Sequence, residues 1–267
     1  MLKDITLGQY FPGNTVIHRL DPRAKLLIVL VYIIALFLCK WLVSYGIALI
    51  FLAAAILLSR IRLKALFKGL KPLLIIIIFT ALINMFYTDG QVLVKFWIFQ
   101  ITREGLWNAF FLVLRIMLLV AGTFLLTYTT SPIALTDGLE SLLSPLKKLH
   151  FPVHELAMMM SIALRFIPTL IEETDKIISA QKARGADFET GNLFRRAKAL
   201  VPILVPLFVS AFRRADELAT AMECRCYHGG TGRTKMKVLV FRMPDIFALL
   251  VSAALLAGII VLRRFGL

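Results

Sequence analysis

The stretch Leu106–Tyr128, LWNAFFLVLRIMLLVAGTFLLTY, decides the class of fold to which this chain belongs. It is almost entirely apolar, and its one charged residue is Arg115. Because an α-helix rises about 1.5 Å per residue, the stretch can cross a hydrocarbon core about 30 Å thick. Backbone polar groups must be paired in lipid, so we predict a transmembrane helix.

Four further apolar runs predict four more membrane-spanning helices. They are Leu26–Val43, Tyr45–Leu58, Pro72–Tyr87 and Ala248–Leu262. We predict that the first two form a helical hairpin with a tight turn near Ser44–Gly46. The composition agrees, because 59% hydrophobic and 18% charged residues depart from the balance of soluble domains.

The distribution of positive charge predicts the orientation of these helices. The net charge is +15, and Lys and Arg collect in cytoplasmic loops of membrane proteins. Two basic clusters are therefore expected in the cytoplasm, and they comprise Arg19, Arg23 and Lys25, and Arg60, Arg62, Lys64, Lys68 and Lys71. The loop 88–104 is then external. Arg263 and Arg264 follow the last span, and the side of the C-terminus stays open.

The region between the fourth and fifth spans is helical in pattern but too charged to cross a membrane cleanly. We predict long helices over His154–Lys182 and Leu193–Glu223, kinked at internal prolines. The predicted fold class is an all-α membrane protein with about five transmembrane helices plus long, kinked cytoplasmic helices. The predicted regions are a cytoplasmic N-terminal segment (1–25), transmembrane helices (26–130), a cytoplasmic or interfacial helical region (131–242) and a C-terminal transmembrane helix (243–267).

The two long helices end in similar motifs, Ala183-Arg184-Gly185 and Cys224-Arg225-Cys226, whose arginines are 41 positions apart. Glycine can stop a helix in left-handed backbone, and an arginine in the last turn lies favourably at the negative end of the helix dipole. A lone arginine of this kind is often only a helix cap or a lipid contact. Two matching ends indicate two prongs for a dimeric or pseudo-dimeric cytoplasmic partner.

Enzymatic and metal sites find little support in the sequence. The histidines, His18, His150, His154 and His228, are scattered over loops. Cys224 and Cys226 have no second ligand pair at the spacing that zinc sites use. We therefore predict a protein that is not an enzyme, with no catalytic residues and no bound metal. The positive charge is explained by the membrane, so no nucleic acid partner is predicted.

Several motifs together resemble those of one known family. They are His18-Arg19-Leu20-Asp21-Pro22-Arg23-Ala24-Lys25-Leu26, Thr129-Thr130-Ser131-Pro132, Leu164-Arg165-Phe166-Ile167-Pro168, Gln181-Lys182-Ala183-Arg184-Gly185-Ala186 and Ala221-Met222-Glu223-Cys224-Arg225-Cys226-Tyr227. Over nearly the whole chain the sequence resembles the transmembrane T component of energy-coupling-factor (ECF) transporters, the ABC-type importers of vitamins and metal ions in the cytoplasmic (inner) membrane of prokaryotes.

The resemblance implies that two ABC ATPase subunits bind ATP and Mg²⁺ beneath the membrane, while this chain binds no cofactor. It also implies that the long, kinked helices of the region 131–242 are coupling helices. The coupling residues it implies are Ala183, Arg184, Gly185, Cys224, Arg225 and Cys226. Cysteines stand at 224 and 226 where Ala and Gly are usual, which favours a second helix that ends later, near Gly229. The implied function is to transmit ATP-driven motion to a substrate-binding membrane S component for uptake of vitamins or other micronutrients.

The surface that meets the S component is a further expectation. Flexible and small side chains suit such a surface, and the candidates are Met158, Met159, Met160, Ala163 and Pro168. Ordinary core packing is the alternative explanation for these residues. We expect Arg115 to snorkel outward or to pair within the bundle, with Asn84 as a candidate partner.

Other functions stay open at this point. They are a conventional ABC importer permease, a T component dedicated to cobalt or nickel uptake, and a structural protein that binds membrane lipids. The transported substrate, sharing of S components, subunit stoichiometry and conformational state do not follow from the residues.

Overall fold

The computed structural model describes residues 10–87, 91–96, 99–186, 188, 193–229, 234, 236 and 238–265. The chain divides into two compact units. One, the membrane bundle, contains Gly8–Leu142 and Leu239–Leu267, and the other, the coupling unit, contains Leu143–Val238. By their contacts, residues 10–25, 131–142 and 239–242 are grouped with the bundle, and the predicted cytoplasmic and transmembrane regions stay a prediction.

The membrane bundle is built from helices with one short pair of strands. Its elements are α1 (Val16–Arg19), α2 (Pro22–Leu38), α3 (Leu42–Ser59), α4 (Leu63–Tyr87), β1 (Val92–Phe96), β2 (Phe99–Thr102), α5 (Arg103–Thr129), α6 (Pro132–Leu143) and α9 (Met243–Phe265). The coupling unit contains a 3-10 helix (Ser144–Leu149), α7 (Val153–Ala183) and α8 (Leu193–Cys224).

The predicted all-α membrane class is confirmed. In the described part of the chain, α3, α4, α5, α7 and α9 are long and apolar enough to cross a membrane. The number agrees with the prediction, but the set differs. The helix α2 has only 17 residues, whereas α7 qualifies by length and composition although we had placed it at the membrane face.

The turn between the first two helices lies earlier than predicted. The helix α2 ends at Leu38 and α3 begins at Leu42, so the expected turn near Ser44–Gly46 is wrong. Ser44 and Tyr45 are instead buried inside α3. A β-carbon added at Gly46 would meet open space, so this glycine marks neither a turn nor a close approach.

The predicted external connection 88–104 contains a small antiparallel hairpin. Strands β1 and β2 pair with Lys95 opposite Gln100 and Phe96 opposite Phe99, and the register is irregular between Val92 and Val94. The hairpin leads directly into α5, whose N-cap Thr102 accepts a hydrogen bond from the Gly105 N–H.

The core of the bundle lies where α2, α3, α5 and α9 meet. It is formed by Tyr32, Ala35, Leu36, Cys39, Tyr45, Ala48, Leu52, Leu118, Leu125, Leu255 and Ile259. A β-carbon at Gly122 would lie 2.7 Å from the ring of Tyr32. This glycine lets α2 and α5 approach closely, as small residues do between transmembrane helices.

The structure places both ends of α9 relative to α2. A carboxylate oxygen of Asp245, near the start of α9, accepts a 2.7 Å hydrogen bond from the N–H of Asp21, which caps the start of α2. At the other end, Arg263 and Lys40 line one cavity. The two helices therefore run in the same direction, and α9 ends on the side opposite to Arg23. The predicted cytoplasmic side of Arg23 would then place Arg263 outside, and this orientation stays a prediction.

Candidate functional site

The end of α7 is a Schellman motif, a hydrogen-bonded way of closing a helix. Arg184 is the C-cap residue, and Gly185 follows with a left-handed φ of 84°. The N–H of Gly185 donates to the Lys182 carbonyl at 3.0 Å, and the N–H of Ala186 donates to the Gln181 carbonyl at 3.0 Å. The motif fixes Arg184 at the last turn of the helix.

The end of α8 has the same hydrogen-bond pattern. The N–H of Cys226 donates to the Glu223 carbonyl at 2.8 Å, and the N–H of Tyr227 donates to the Met222 carbonyl at 3.0 Å. Cys226 has a left-handed φ of 54°. Arg225 therefore stands at the position in α8 that Arg184 occupies in α7.

The two ends match residue for residue at the offset of 41 positions that the sequence shows. Cys226 takes the place of Gly185 although left-handed backbone costs a non-glycine residue about 1–2 kcal/mol. The expectation that α8 ends later, near Gly229, is wrong, because α8 ends at Cys224. The two hydrogen bonds of the motif offset the cost of the cysteine conformation.

The predicted coupling residues are accessible. All six are exposed, namely Ala183, Arg184, Gly185, Cys224, Arg225 and Cys226. Each arginine lies at the negative end of a helix dipole, where its charge is favourable. A guanidinium in that position can form a bidentate pair with a carboxylate of another protein.

Contacts between α7 and α8 show that the helices run antiparallel. Glu173 forms an ion pair with Arg214 at 2.8 Å and accepts a short hydrogen bond from the Ser210 hydroxyl. Further along α7, the Gln181 amide donates to the Pro202 carbonyl at 3.4 Å. Later positions in α7 thus contact earlier positions in α8.

The Glu173–Arg214 pair marks a local two-fold relation between the helices. These residues are also 41 positions apart, so equivalent positions of the two helices meet at this point. Arg184 and Arg225 each lie 11 residues beyond it. At 1.5 Å per residue, each arginine lies about 16.5 Å from the pair along its own helix. The two arginines are therefore roughly 33 Å apart along antiparallel axes. An angle between the axes shortens this distance.

The candidate residues for contact with an S component lie together on the first half of α7. Met159, Met160, Ala163 and Pro168 are exposed, and Met158 is half-buried. Met159 and Met160 are not packed within this chain, and their contact with an S component stays a prediction.

A buried polar junction at the start of α2 joins two of the motifs on which the resemblance rests. Asp21 accepts hydrogen bonds from the N–H and guanidinium of Arg23. The Lys25 ammonium, only 5% exposed, donates to the Thr129 carbonyl at 2.9 Å and the Thr130 hydroxyl at 3.0 Å. The contacts of Lys25 tie the start of α2 to the end of α5.

Asp245 completes this polar junction. It is 1% exposed, and its two carboxylate oxygens accept 2.7 Å hydrogen bonds from the N–H groups of Asp21 and Arg242. Burial alone would raise the pKa of the Asp21 carboxyl, but the hydrogen bonds from Arg23 and the charges of Arg23 and Lys25 hold it below its usual range. The junction fixes the entry of α2 and α9.

Arg115 forms hydrogen bonds within the bundle, which was one of its two predicted arrangements. Its guanidinium donates hydrogen bonds to the Tyr45 hydroxyl at 2.9 Å and to the Cys39 carbonyl at 3.1 Å. The suggested partner Asn84 lines the adjoining cavity.

No cluster of three potential metal-ligating side chains occurs among the residues that the structure describes.

Comparisons with known proteins agree over nearly the full chain. The cobalt transport protein family, CbiQ, matches residues 13–237. Proteins named energy-coupling factor transporter transmembrane protein EcfT are 54% identical over 262 residues in Thermosediminibacter oceani, 55% over 266 residues in Clostridium kluyveri and 49% over 260 residues in Bacillus subtilis. These alignments cover 98%, 99% and 96% of this chain, and 99%, 98% and 98% of the relatives.

These relatives are named as transmembrane components of a transporter, and the matching family is described as a transport protein. They agree with a multi-pass membrane chain whose described helices include five that could span a bilayer. The chain therefore belongs to the EcfT family of transmembrane components of energy-coupling-factor transporters.

Proposed function

We propose that this chain couples two cytoplasmic ABC ATPase subunits to a substrate-binding membrane S component in the cytoplasmic membrane of a prokaryote. ATP and Mg²⁺ bind to the ATPases, and the resulting motion reaches the S component through α7 and α8. The complex imports vitamins or other micronutrients. The observation that carries the proposal is the pair of exposed arginines at equivalent helix ends.

A two-fold partner accounts for this arrangement. Arg184 and Arg225 have the same position in the same type of helix end, and both lie 11 residues beyond the Glu173–Arg214 pair. Two equivalent helix ends related by a local two-fold axis suit two equivalent binding sites on an ATPase dimer. Closure of that dimer would pull on both helix ends and change the angle at which α7 and α8 cross.

Charge reversal tests the docking of the two arginines. Arg184→Glu and Arg225→Glu are each expected to weaken co-purification with the ATPase subunits at least about tenfold, and the double variant to abolish it, because each removes a charge-assisted contact. Membrane insertion stays intact. The matched control is Lys176→Glu with Lys198→Glu, which makes the same change of charge at exposed positions within the two helices.

If the double arginine variant binds the ATPases normally and supports ATP-driven uptake, the docking role is wrong. If the control variant loses binding to the same extent, total charge rather than the helix ends holds the complex.

The exposed part of α7 is the proposed contact for the S component. Met159→Lys with Met160→Lys places two charges on this surface. The variant is expected to keep its ATPase subunits and lose the S component in co-purification. Loss of both partners together would instead indicate a damaged α7.

A second candidate substrate is a transition-metal ion. The description of the matching family, cobalt transport protein, favours a component dedicated to cobalt or nickel. Uptake of ⁵⁷Co or ⁶³Ni by vesicles that hold the complete complex, compared with uptake of labelled vitamins, distinguishes the two candidates.

A further inference from the structure

A cavity of about 950 Å³ lies at the end of the membrane bundle opposite to Arg23. The turn after α2, the start of α3, and parts of α4, α5 and α9 form its walls. Three cationic side chains line it, namely Lys40, Arg115 and Arg263. No acidic residue is among the described residues that line the cavity, so these charges are not neutralised there.

The depth of Arg115 follows from the contacts between α2 and α5. Lys25 contacts Thr129 at one end, and the Cys39 carbonyl contacts Arg115 at the other. The two contacts are 14 residues apart on both helices, or about 21 Å. Arg115 therefore lies at the level at which α2 ends. Because about 21 Å is less than the ~30 Å thickness of a hydrocarbon core, the charge is still within the apolar layer, at the base of a recess beyond the end of α2.

Aromatic side chains at the cavity also indicate a membrane boundary. Trp41 and Trp107 line it and are 53% and 50% exposed. Tryptophan concentrates where lipid headgroups meet the hydrocarbon layer. Leu42, Phe111 and Leu112 add apolar wall. The cavity thus combines cations with apolar surface, and its tryptophans indicate that its rim lies near headgroup depth.

The positive charge is unexpected on this side. Basic residues collect on the cytoplasmic side of a membrane protein, and the assignment of Arg23 to the cytoplasm makes this cavity external. The guanidinium of Arg115 is held by the Tyr45 hydroxyl and the Cys39 carbonyl through Nε and Nη2. Five N–H groups are present in an arginine, so it keeps donors for a further oxyanion while its orientation is fixed.

We propose that this cavity binds the phosphodiester headgroup of an anionic phospholipid of the outer leaflet. Lys40 and Arg263 supply charge at the exposed rim, Arg115 supplies a preoriented donor at the base, and the acyl chains lie along the apolar wall. The field of three cations in a low-dielectric recess favours an anionic headgroup over a zwitterionic one. The proposal does not depend on the coupling function.

Lipid binding to the purified protein tests the proposal. We expect dioleoyl phosphatidylglycerol, added to the protein in a neutral detergent, to bind at least about tenfold more tightly than dioleoyl phosphatidylcholine in native mass spectrometry. The variant Lys40→Gln with Arg263→Gln is expected to lose this preference, because each change removes a charge-assisted contact. Both side chains are exposed, so the fold is retained.

Arg264→Gln is the matched control, because Arg264 is the exposed neighbour of Arg263 and does not line the cavity. It should leave the lipid preference unchanged. Equal binding of the two lipids, or an equal effect of Arg264→Gln, would overturn the site. Displacement of phosphatidylglycerol by inorganic phosphate at a similar concentration would overturn the lipid assignment and identify a soluble anion as the ligand.

Discussion

Removal of the Asp245 carboxylate is expected to destabilise the membrane bundle strongly. In Asp245→Ala, the N–H groups of Asp21 and Arg242 lose their 2.7 Å acceptor, and the buried ammonium of Lys25 loses a nearby negative charge. A hydrogen bond to a charged group contributes about 1.5–3 kcal/mol. Two such bonds give a loss of about 3–6 kcal/mol in the free energy of unfolding.

Thermal unfolding in detergent, followed by circular dichroism, measures this loss. At roughly 2–4 °C per kcal/mol for a chain of this size, Tm should fall by at least about 6 °C. Asp245→Asn keeps the shape and one acceptor oxygen, so its Tm should lie between those of wild type and Asp245→Ala. The control Asp216→Ala removes an exposed carboxylate and should change stability by less than about 0.5 kcal/mol.

A Tm for Asp245→Ala within about 2 °C of wild type would refute the reasoning. It would mean that water or a shifted backbone replaces both hydrogen bonds without loss. A loss of equal size in Asp216→Ala would show that the measurement reports net charge rather than the buried junction.

Two further predictions concern the coupling helices. Gly185→Ala should destabilise the end of α7 by about 1 kcal/mol, and Cys226→Gly should stabilise the end of α8 by a similar amount, because both positions have left-handed backbone. Hydrogen exchange of the amides that close each helix measures both effects. A change of the same sign in both variants would contradict the shared geometry. The ion pair of Glu173 with Arg214, which is partly exposed, should give a coupling free energy of only about 0.5–1 kcal/mol in a double-mutant cycle of alanine variants. A coupling of zero would show that packing alone sets where the two helices cross.

Each difference between the predicted and the observed helix ends has a physical cause. The turn after α2 was placed too late because Cys39 and Trp41 are as apolar as the helices around them, and Lys40 is the one polar signal between them. The turn was instead predicted at Gly46, but glycine is common inside transmembrane helices and does not by itself indicate a turn. The end of α8 was predicted too late for a similar reason. Cysteine rarely adopts left-handed backbone, so Cys226 does not mark the end of a helix as Gly185 does.

Some missed features did leave a signal. The Glu173–Arg214 contact has the same spacing of 41 positions as the two coupling arginines, so the internal repeat could have located where α7 and α8 meet. The partners of Arg115 left no such signal, since one is a backbone carbonyl and the other a tyrosine in a different helix.

The sequence by itself determined the helices, the membrane class and the two arginine-ended motifs. These features depend on hydropathy and on residues within a turn or two of one another, where local backbone physics dominates. Only the tertiary structure decided that Asp21 meets Asp245 across 224 positions, that α7 and α8 run antiparallel, and that Lys40, Arg115 and Arg263 share one cavity. Such contacts arise from the packing of whole helices against one another, which no local pattern along the chain specifies.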